Sequence, residues 1–298
     1  MSTLSIVIVT MNRRDELLRL LSDLCDTTAA RRAEILVVDN GSGDGTAGAV
    51  RQGFANVRLI RNETNEGAPG ARNEAARCAG GELIVFLDDD TRVEDPTFCD
   101  KIVQAFEEEP DAAVIAFRIL EPATRQPRSF EIPARRKELD GTRFATSYFI
   151  AAGCAVRRAA YEELGGMDAD LIYGFEELDL GYRAVAAGHD IIYRPEIELL
   201  HGLSSTGRPG GRALFFFLRN KIWISVRYLP WPMVLTQIGV WGGYFFWESL
   251  RAGRPDLYVR ALWAGITGAI PRLARRRTDR LSATAIARLK KLDGRLYT

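Results

Sequence analysis

A chain of 298 residues, 47% hydrophobic and 27% charged, can bury one large α/β core with an appendage or divide into two domains, and is too apolar to be disordered. Its formal net charge of +1 creates no overall field toward nucleic acid, which is not expected as a partner. The four cysteines (Cys25, Cys78, Cys99 and Cys154) lack C-x-x-C spacing, so buried reduced thiols in a cytoplasmic protein are expected.

Residues 1–10 hold an apolar run with no basic stretch ahead of it and read as a first strand, not a signal peptide. The β-branched run 4–9 ends at Thr10-Met11-Asn12. Asn12 can cap a following helix in which Leu17, Leu18, Leu20, Leu21 and Leu24 recur at helical spacing. Residues 34–38 form a second strand that stops at Asp39-Asn40-Gly41-Ser42, and 57–60 form a short third. An alanine-rich helix is expected over 69–79, a buried strand over 82–87, an amphipathic helix over 96–108 and a strand over 112–117. This alternation predicts an α/β fold whose mostly parallel, Rossmann-like sheet carries helices on both faces. Gly41-Ser42-Gly43-Asp44-Gly45 lacks the third glycine of a dinucleotide fingerprint, and there is no Walker A pattern.

Strand 82–87 runs straight into Asp88-Asp89-Asp90. Three adjacent carboxylates repel one another unless something positive joins them. On an extended chain residues i and i+2 share a side, so Asp88 and Asp90 converge while Asp89 turns away. Two oxygen donors on one side suit Mg²⁺ or Mn²⁺ better than zinc. An acidic turn that merely ends the strand is the alternative. Three strands thus end in polar groups, at Thr10/Asn12, at Asp39/Asn40 and at Asp88 to Asp90. Open α/β sheets bind ligands at those carboxyl ends.

Further segments fall into an ordered series. Ser5-Ile6-Val7-Ile8-Val9-Thr10-Met11-Asn12 is followed by Ile35-Leu36-Val37-Val38-Asp39-Asn40-Gly41-Ser42, Asn65-Glu66-Gly67-Ala68, Ala71-Arg72-Asn73 and Phe86-Leu87-Asp88-Asp89-Asp90. Gly153-Cys154-Ala155-Val156-Arg157-Arg158, Gly165-Gly166-Met167-Asp168 and Glu176-Glu177-Leu178-Asp179-Leu180-Gly181-Tyr182-Arg183 complete it. In this order the chain resembles the family 2 glycosyltransferases of the GT-A fold over roughly residues 3 to 206. The nearest subgroup is the bacterial rhamnosyl- and galactofuranosyl-type enzymes of cell-surface polysaccharide assembly.

The resemblance implies a UDP- or dTDP-sugar donor. Asp39 would bond the base, Thr10 and Asn12 would line its pocket, and Asn65, Gly67, Arg72 and Asn73 would lie along the diphosphate. Asp90 would hold the metal and Asp88 the ribose or sugar hydroxyls, with Asp89 the least defined donor contact. His201 would be a third metal ligand, favouring Mn²⁺ over Mg²⁺ slightly, whereas His189 reads as a structural turn residue. Glu177 stands where the family places an aspartate base, so Glu177 or its neighbour Glu176 would deprotonate the acceptor. Such a base, opposite the departing diphosphate, implies inversion. Asp179 is expected to pair with Arg183 at i+4. A sugar nucleotidyltransferase would want a glycine-rich basic loop after the first strand, which Thr10-Met11-Asn12-Arg13-Arg14 is not. A nucleotide-sugar-binding membrane adaptor without chemistry is the non-enzyme alternative.

The catalytic region is expected over 1–210 and a helical arm over 211–298. Residues 228–247 carry no charge and are long enough to span a bilayer, yet Pro230, Pro232, Gly239, Gly242 and Gly243 weaken a helix there. Tyr228, Trp231, Trp241, Tyr244 and Trp247 suit a headgroup interface. A second apolar stretch over 257–270 precedes Pro271 and Arg275-Arg276-Arg277, which would attract anionic lipid. Interfacial association with the cytoplasmic face of a membrane is expected, ahead of a spanning pair or an arm packed on the catalytic region. A glycan or lipid-linked acceptor fits that location.

Overall fold

The computed structural model describes residues 3–26, 33–203 and 211–294. The first half alternates strictly. Strand β1 (Leu4–Thr10) leads to α1 (Arg14–Asp26), β2 (Ala33–Asn40) to α2 (Thr46–Gly53), and β3 (Val57–Asn62) to α3 (Gly67–Cys78). Then come β4 (Leu83–Asp88), the two-residue β5 (Thr91–Arg92), α4 (Phe98–Glu108) and β6 (Ala112–Leu120). The second half holds β7 (Phe144–Ala145), β8 (Gly153–Arg157), α5 (Arg158–Glu163), α6 (Glu176–Ala187) and β9 (Asp190–His201). Four helices close the chain: α7 (Arg212–Tyr228), α8 (Trp231–Arg251), α9 (Pro255–Asp279) and α10 (Ala283–Lys291).

The strands form one sheet in the order β3-β2-β1-β4-β8-β6-β9-β5, with β7 beside β9. The β3-β2-β1-β4 portion is parallel, as the alternation requires. Beyond it the sheet is mixed, because β8 runs antiparallel to both β4 and β6. Parallel register levels the ends of the first strands: Thr10 pairs with Asp39, and Val9 with Asp88. The polar residues after these runs therefore meet along one edge.

Both sheet faces are covered. Leu17, Leu20, Leu21 and Leu24 of α1 pack with Phe98, Ile102 and Phe106 of α4 against Ile6, Ile8 and Val85. Val7, Leu36 and Phe86 face the opposite way, onto Ala71 and Ala75 of α3 and a cluster that continues into α7, α8, α9 and α10. Residues 211–294 thus share a continuous apolar core with the sheet. Polar ties reinforce it: Tyr228 donates to Asp179 at 2.7 Å, Arg227 meets Asp168 at 2.9 Å, and Arg288 meets Asp190 at 2.6 Å.

Several local expectations change. The Asn12 side-chain oxygen accepts from the Gly43 amide at 2.8 Å, so it ties the β1 loop to the β2 loop, and α1 starts two residues later. Cys99 and Cys154 are buried but Cys25 is exposed, and none of the four is joined in a disulfide. The uncharged stretch breaks at Leu229-Pro230, and among the described residues no helix is long and apolar enough to cross a membrane. Tyr228 points into the core. Of the arginine cluster, Arg276 is buried, bonds the Val226 and Leu229 carbonyls and covers the Trp231 ring, so it is a packing residue. Helix α9 runs on through Pro271.

Candidate active site

A cavity of about 540 Å³ opens at the carboxyl ends of β1, β2 and β4. Thr10, Asn65, Arg72, Asp88, Asp89, Glu176, Glu177 and His201 all line it. Asp90 lies just behind, buried against His201. The strand β5 explains how residues more than a hundred positions apart meet. Thr91 pairs with His201 across the β5–β9 ladder, and the Gly202 amide donates to the Asp90 carbonyl at 2.9 Å. The remaining polar loop, 204–207, lies outside the described residues.

Asp88, Asp90 and His201 each present one donor atom within 4.8 Å of the others. His201 Nε2 is 3.3 Å from Asp90 Oδ1 and 3.9 Å from Asp88 Oδ2. Two carboxylate oxygens and one imidazole nitrogen fit a small divalent cation such as Mn²⁺ or Mg²⁺. Burial by itself would lower the His201 pKa, but Asp90, Glu131 and Asp88 raise it to about 9. A metal would therefore displace a proton here.

The other ring nitrogen of His201 lies 2.6 Å from Glu131, a buried carboxylate also held by Arg128 at 3.3 Å. Such a partner fixes ring orientation and leaves Nε2 toward the aspartates. Glu131 has no motif around it that the sequence could have offered.

Two arginines keep the acids compact. Arg13 reaches Asp89 at 2.8 Å and Asp90 at 3.3 Å. Arg72 bridges Asp88 at 2.7 Å and Glu176 at 3.2 Å. Burial pushes Asp89 up to about 6, with the Arg13 charge opposing and Asp90 adding to the shift. Asp89 stands outside the cluster of Asp88, Asp90 and His201 and shares Arg13 with Asp90. Arg13 was legible only as the residue following Thr10-Met11-Asn12.

Glu176 and Glu177 open α6, after a loop in which Ile172, Gly174 and Phe175 all take positive φ. That conformation is costly for a β-branched residue and an aromatic one. Helix α7 holds it in place: the Asn220 amide donates to the carbonyls of Leu171, Tyr173 and Gly174 at 2.8–3.0 Å. Arg219 donates to the Asp170 and Leu171 carbonyls. Glu177 Oε1 accepts from the Ala151 amide at 3.2 Å and lines the cavity. Burial, then the Glu176 charge, push its carboxyl up to about 8, with Arg72 opposing. Burial also raises Glu176, against the pull of Arg72. Asp179 pairs with Arg183 as expected, at 3.0 Å.

Four expected donor contacts do not line the cavity. Asn12 is committed to the β2 loop, and Asp39 is fully buried with Oδ1 accepting from the Ser42 amide at 2.8 Å. Asp39 Oδ2 and Thr10 Oγ1, at paired positions on neighbouring strands, are nevertheless buried without a hydrogen-bond partner. Gly67 has φ +75°, and a Cβ there would come 2.7 Å from the Ile172 carbonyl, so glycine serves a close backbone contact. Asn73 spans the Met167 amide and carbonyl and the Tyr161 hydroxyl, on the far side of α3. It braces the 161–167 loop.

With this geometry in place, similarity to known proteins decides the family. The sequence signature of glycosyl transferase family 2 matches residues 5–165. The chain belongs to that family. It is a glycosyltransferase, which leaves the nucleotidyltransferase and the adaptor without support. An uncharacterized glycosyltransferase of Haemophilus influenzae is 38% identical over 109 residues, 36% of each chain. The N-acetylglucosaminyl-diphospho-decaprenol L-rhamnosyltransferase of Mycobacterium tuberculosis is 27% identical over 264 residues, covering 76% of this chain and 86% of that one. Among solved structures, the mannosyltransferase PcManGT of Pyrobaculum calidifontis, in complex with GDP-Man and Mn²⁺, superposes with a TM-score of 0.61 at 20% identity. That match covers 97% of this glycosyltransferase and 79% of PcManGT and supports the GT-A fold.

Proposed function

We propose that this glycosyltransferase is metal-dependent and inverting, and moves a sugar from a nucleoside diphosphate to a lipid-linked glycan acceptor. One observation carries the reading: Asp88, Asp90 and His201 converge on the same cavity as Arg72 and the raised acid Glu177. A bound divalent cation would supply Lewis-acid stabilisation of the departing diphosphate. Asp88, Asp90 and His201 would hold it, and Arg13 would keep Asp89 and Asp90 fixed.

The chain's own residues account for the rest. Thr10 Oγ1, at the cavity, and Asp39 Oδ2, behind it and 3.9 Å from Arg61, lack hydrogen-bond partners and would turn to the nucleotide base. Glu177, as carboxylate, takes the proton of the acceptor hydroxyl while that oxygen attacks the anomeric carbon opposite the diphosphate. The new glycosidic bond forms as the bond to phosphate breaks, so configuration inverts. Glu176 is held by Arg72, which leaves Glu177 as the better placed base. The upward shift makes Glu177 a stronger proton acceptor once it is ionised.

The acceptor class is carried over from the mycobacterial relative's name and supported by the surface. Trp231, Leu235, Val240, Tyr244, Trp247 and Leu250 of α8 are exposed, as are Val259, Trp263, Ile266, Ile270 and Leu273 of α9. Single exposed apolar residues are ordinary, but a two-helix face with Trp and Tyr fits an interfacial seat on a bilayer. Exposed Arg251, Arg254, Arg260, Arg275 and Arg277 flank it and complement anionic headgroups.

Screening the purified chain with a panel of UDP-, dTDP- and GDP-sugars tests the proposal. A rise in melting temperature for one class, dependent on Mn²⁺ or Mg²⁺, is expected. No shift from any donor with either metal would defeat it.

A further inference from the structure

One wall of the cavity is built of rings that donor chemistry does not use. Tyr173 stacks on Phe217 with centroids 5.7 Å apart, and Phe217 meets Phe175 at 5.2 Å. Phe175 faces Trp241 at 6.3 Å, and Trp241 meets Tyr244 at 5.6 Å. All five line the cavity. Tyr244 is also 51% exposed, so the ring series begins beside Glu177 and ends on the outer apolar face of α8. Val240 and Trp247, four residues before and three after Tyr244, continue that face at 62% and 59% exposure. The cavity interior and the apolar surface are therefore one continuous strip. Arg212 stands at the cavity wall with its guanidinium 4.4 Å from the Tyr173 ring centroid.

We propose that this strip is the acceptor subsite, and that it takes an amphiphile entering sideways from the bilayer. Its sugar would lie on the rings beside Glu177, its anionic linker by Arg212, and its apolar chain over Val240, Tyr244 and Trp247. The assignment rests on the transferase reading above. Three chemical features of one ligand are matched in spatial order. Flat aromatic faces suit the C–H faces of a sugar ring, a guanidinium suits phosphate oxygens, and an uncharged exposed stripe suits a hydrocarbon chain. A soluble glycan would need the first feature only.

Farnesyl diphosphate, a short isoprenyl diphosphate, is the probe, and binding to the full chain is measured in EDTA. Without a divalent cation, Asp88, Asp90 and His201 cannot recruit the diphosphate. The wild-type chain is expected to bind it at least tenfold more tightly than either farnesol or inorganic diphosphate. Trp241→Ala and Arg212→Gln should each lose about tenfold, and half-exposed Tyr244→Ala severalfold, with Trp241→Phe retaining most of the affinity. Trp263→Ala, on the exposed face but outside the cavity, should match wild type. Melting temperatures identify any variant that has lost its fold, and Tyr244→Ala then carries the test. Equal affinity in wild type, Trp241→Ala and Tyr244→Ala would overturn the proposal. So would full competition by phosphatidylglycerol vesicles lacking isoprenoid, which would make the strip a lipid contact only. Nucleotide-sugar stabilisation is read in parallel. Its absence in wild type, with the farnesyl diphosphate pattern intact, would defeat the proposed metal-dependent use of a nucleotide sugar and leave the amphiphile site standing.

Discussion

The two walls of the cavity are made in opposite ways. The wall from residues 10–90 is a set of opposed charges, with Arg13 on Asp89 and Asp90, and Arg72 on Asp88 and Glu176. The opposite wall is aromatic, built from Tyr173, Phe175, Phe217, Trp241 and Tyr244, and is braced from behind: Asn220 and Arg219 hold the loop before Glu176, and Tyr228 anchors Asp179. Charged groups must be paired to be buried, so the first wall is specified residue by residue. Rings need only volume and contact, so the second is specified by composition and packing. Chemistry falls to Glu177, which lines the cavity with both sets.

Breaking the boundary should cost most. Glu177→Gln is expected to lower turnover by about 10³-fold while keeping donor affinity, as loss of a general base does. Glu176→Gln retaining more activity than Glu177→Gln would confirm which acid serves. Full turnover in Glu177→Gln would move the base elsewhere.

On the charged wall, Glu131→Gln should weaken Mn²⁺ binding by roughly 10- to 100-fold, because it loosens the orientation of His201. Titration of the metal into the donor-free protein reads this directly; unchanged affinity would make the Glu131–His201 contact structural only.

On the aromatic wall, Asn220→Ala leaves the carbonyls of Leu171, Tyr173 and Gly174 short of a donor. A loss of about 2 kcal/mol in unfolding free energy is expected, seen by urea denaturation, with turnover falling more than metal affinity. Removal of residues 211–298 would expose the shared core, so truncation cannot separate membrane binding from folding. Trp247→Glu with Trp263→Glu is the cleaner variant, and it should release the protein from anionic vesicles.

The smallest effect is a pH signature. Burial and the Glu176 charge push the Glu177 carboxyl up to about 8 in the fold, from its ordinary value of 4.5 in the unfolded chain. Its protonated form is favoured by folding, so its contribution is fully present below about 4.5 and is lost as pH rises through about 8. Glu177→Gln escapes that loss. Its melting temperature should equal wild type near pH 4.5 and exceed it by a few degrees at pH 8.5. A constant difference across that range would contradict the assigned shift.

The charged wall was largely legible in the sequence because it depends on order and spacing. The strand-end carboxylates, Arg72, the acids at 176–177 and even distant His201 could be placed. The exceptions have packing causes. Asn73 and Gly67 sit inside motifs that read as ligand contacts, yet one braces the Met167 loop and the other admits the Ile172 carbonyl. Glu131 stayed hidden because a carboxylate behind a histidine follows no periodicity. The aromatic wall was visible only as composition. Phe217, Trp241 and Tyr244 read as parts of a membrane arm, Tyr173 and Phe175 carry no signal at all, and nothing in a helical period says that Trp241 faces a cavity while Trp247 faces out.

The central claim is that Asp88, Asp90 and His201 hold a cation that joins the nucleotide sugar to this site. Titration calorimetry with the donor found by screening, with and without Mn²⁺, on wild type and Asp90→Ala, tests it most directly. Wild type should bind the donor tightly only with Mn²⁺, and Asp90→Ala should bind weakly in both conditions. Equal Mn²⁺-dependent affinity in the two proteins would contradict the account.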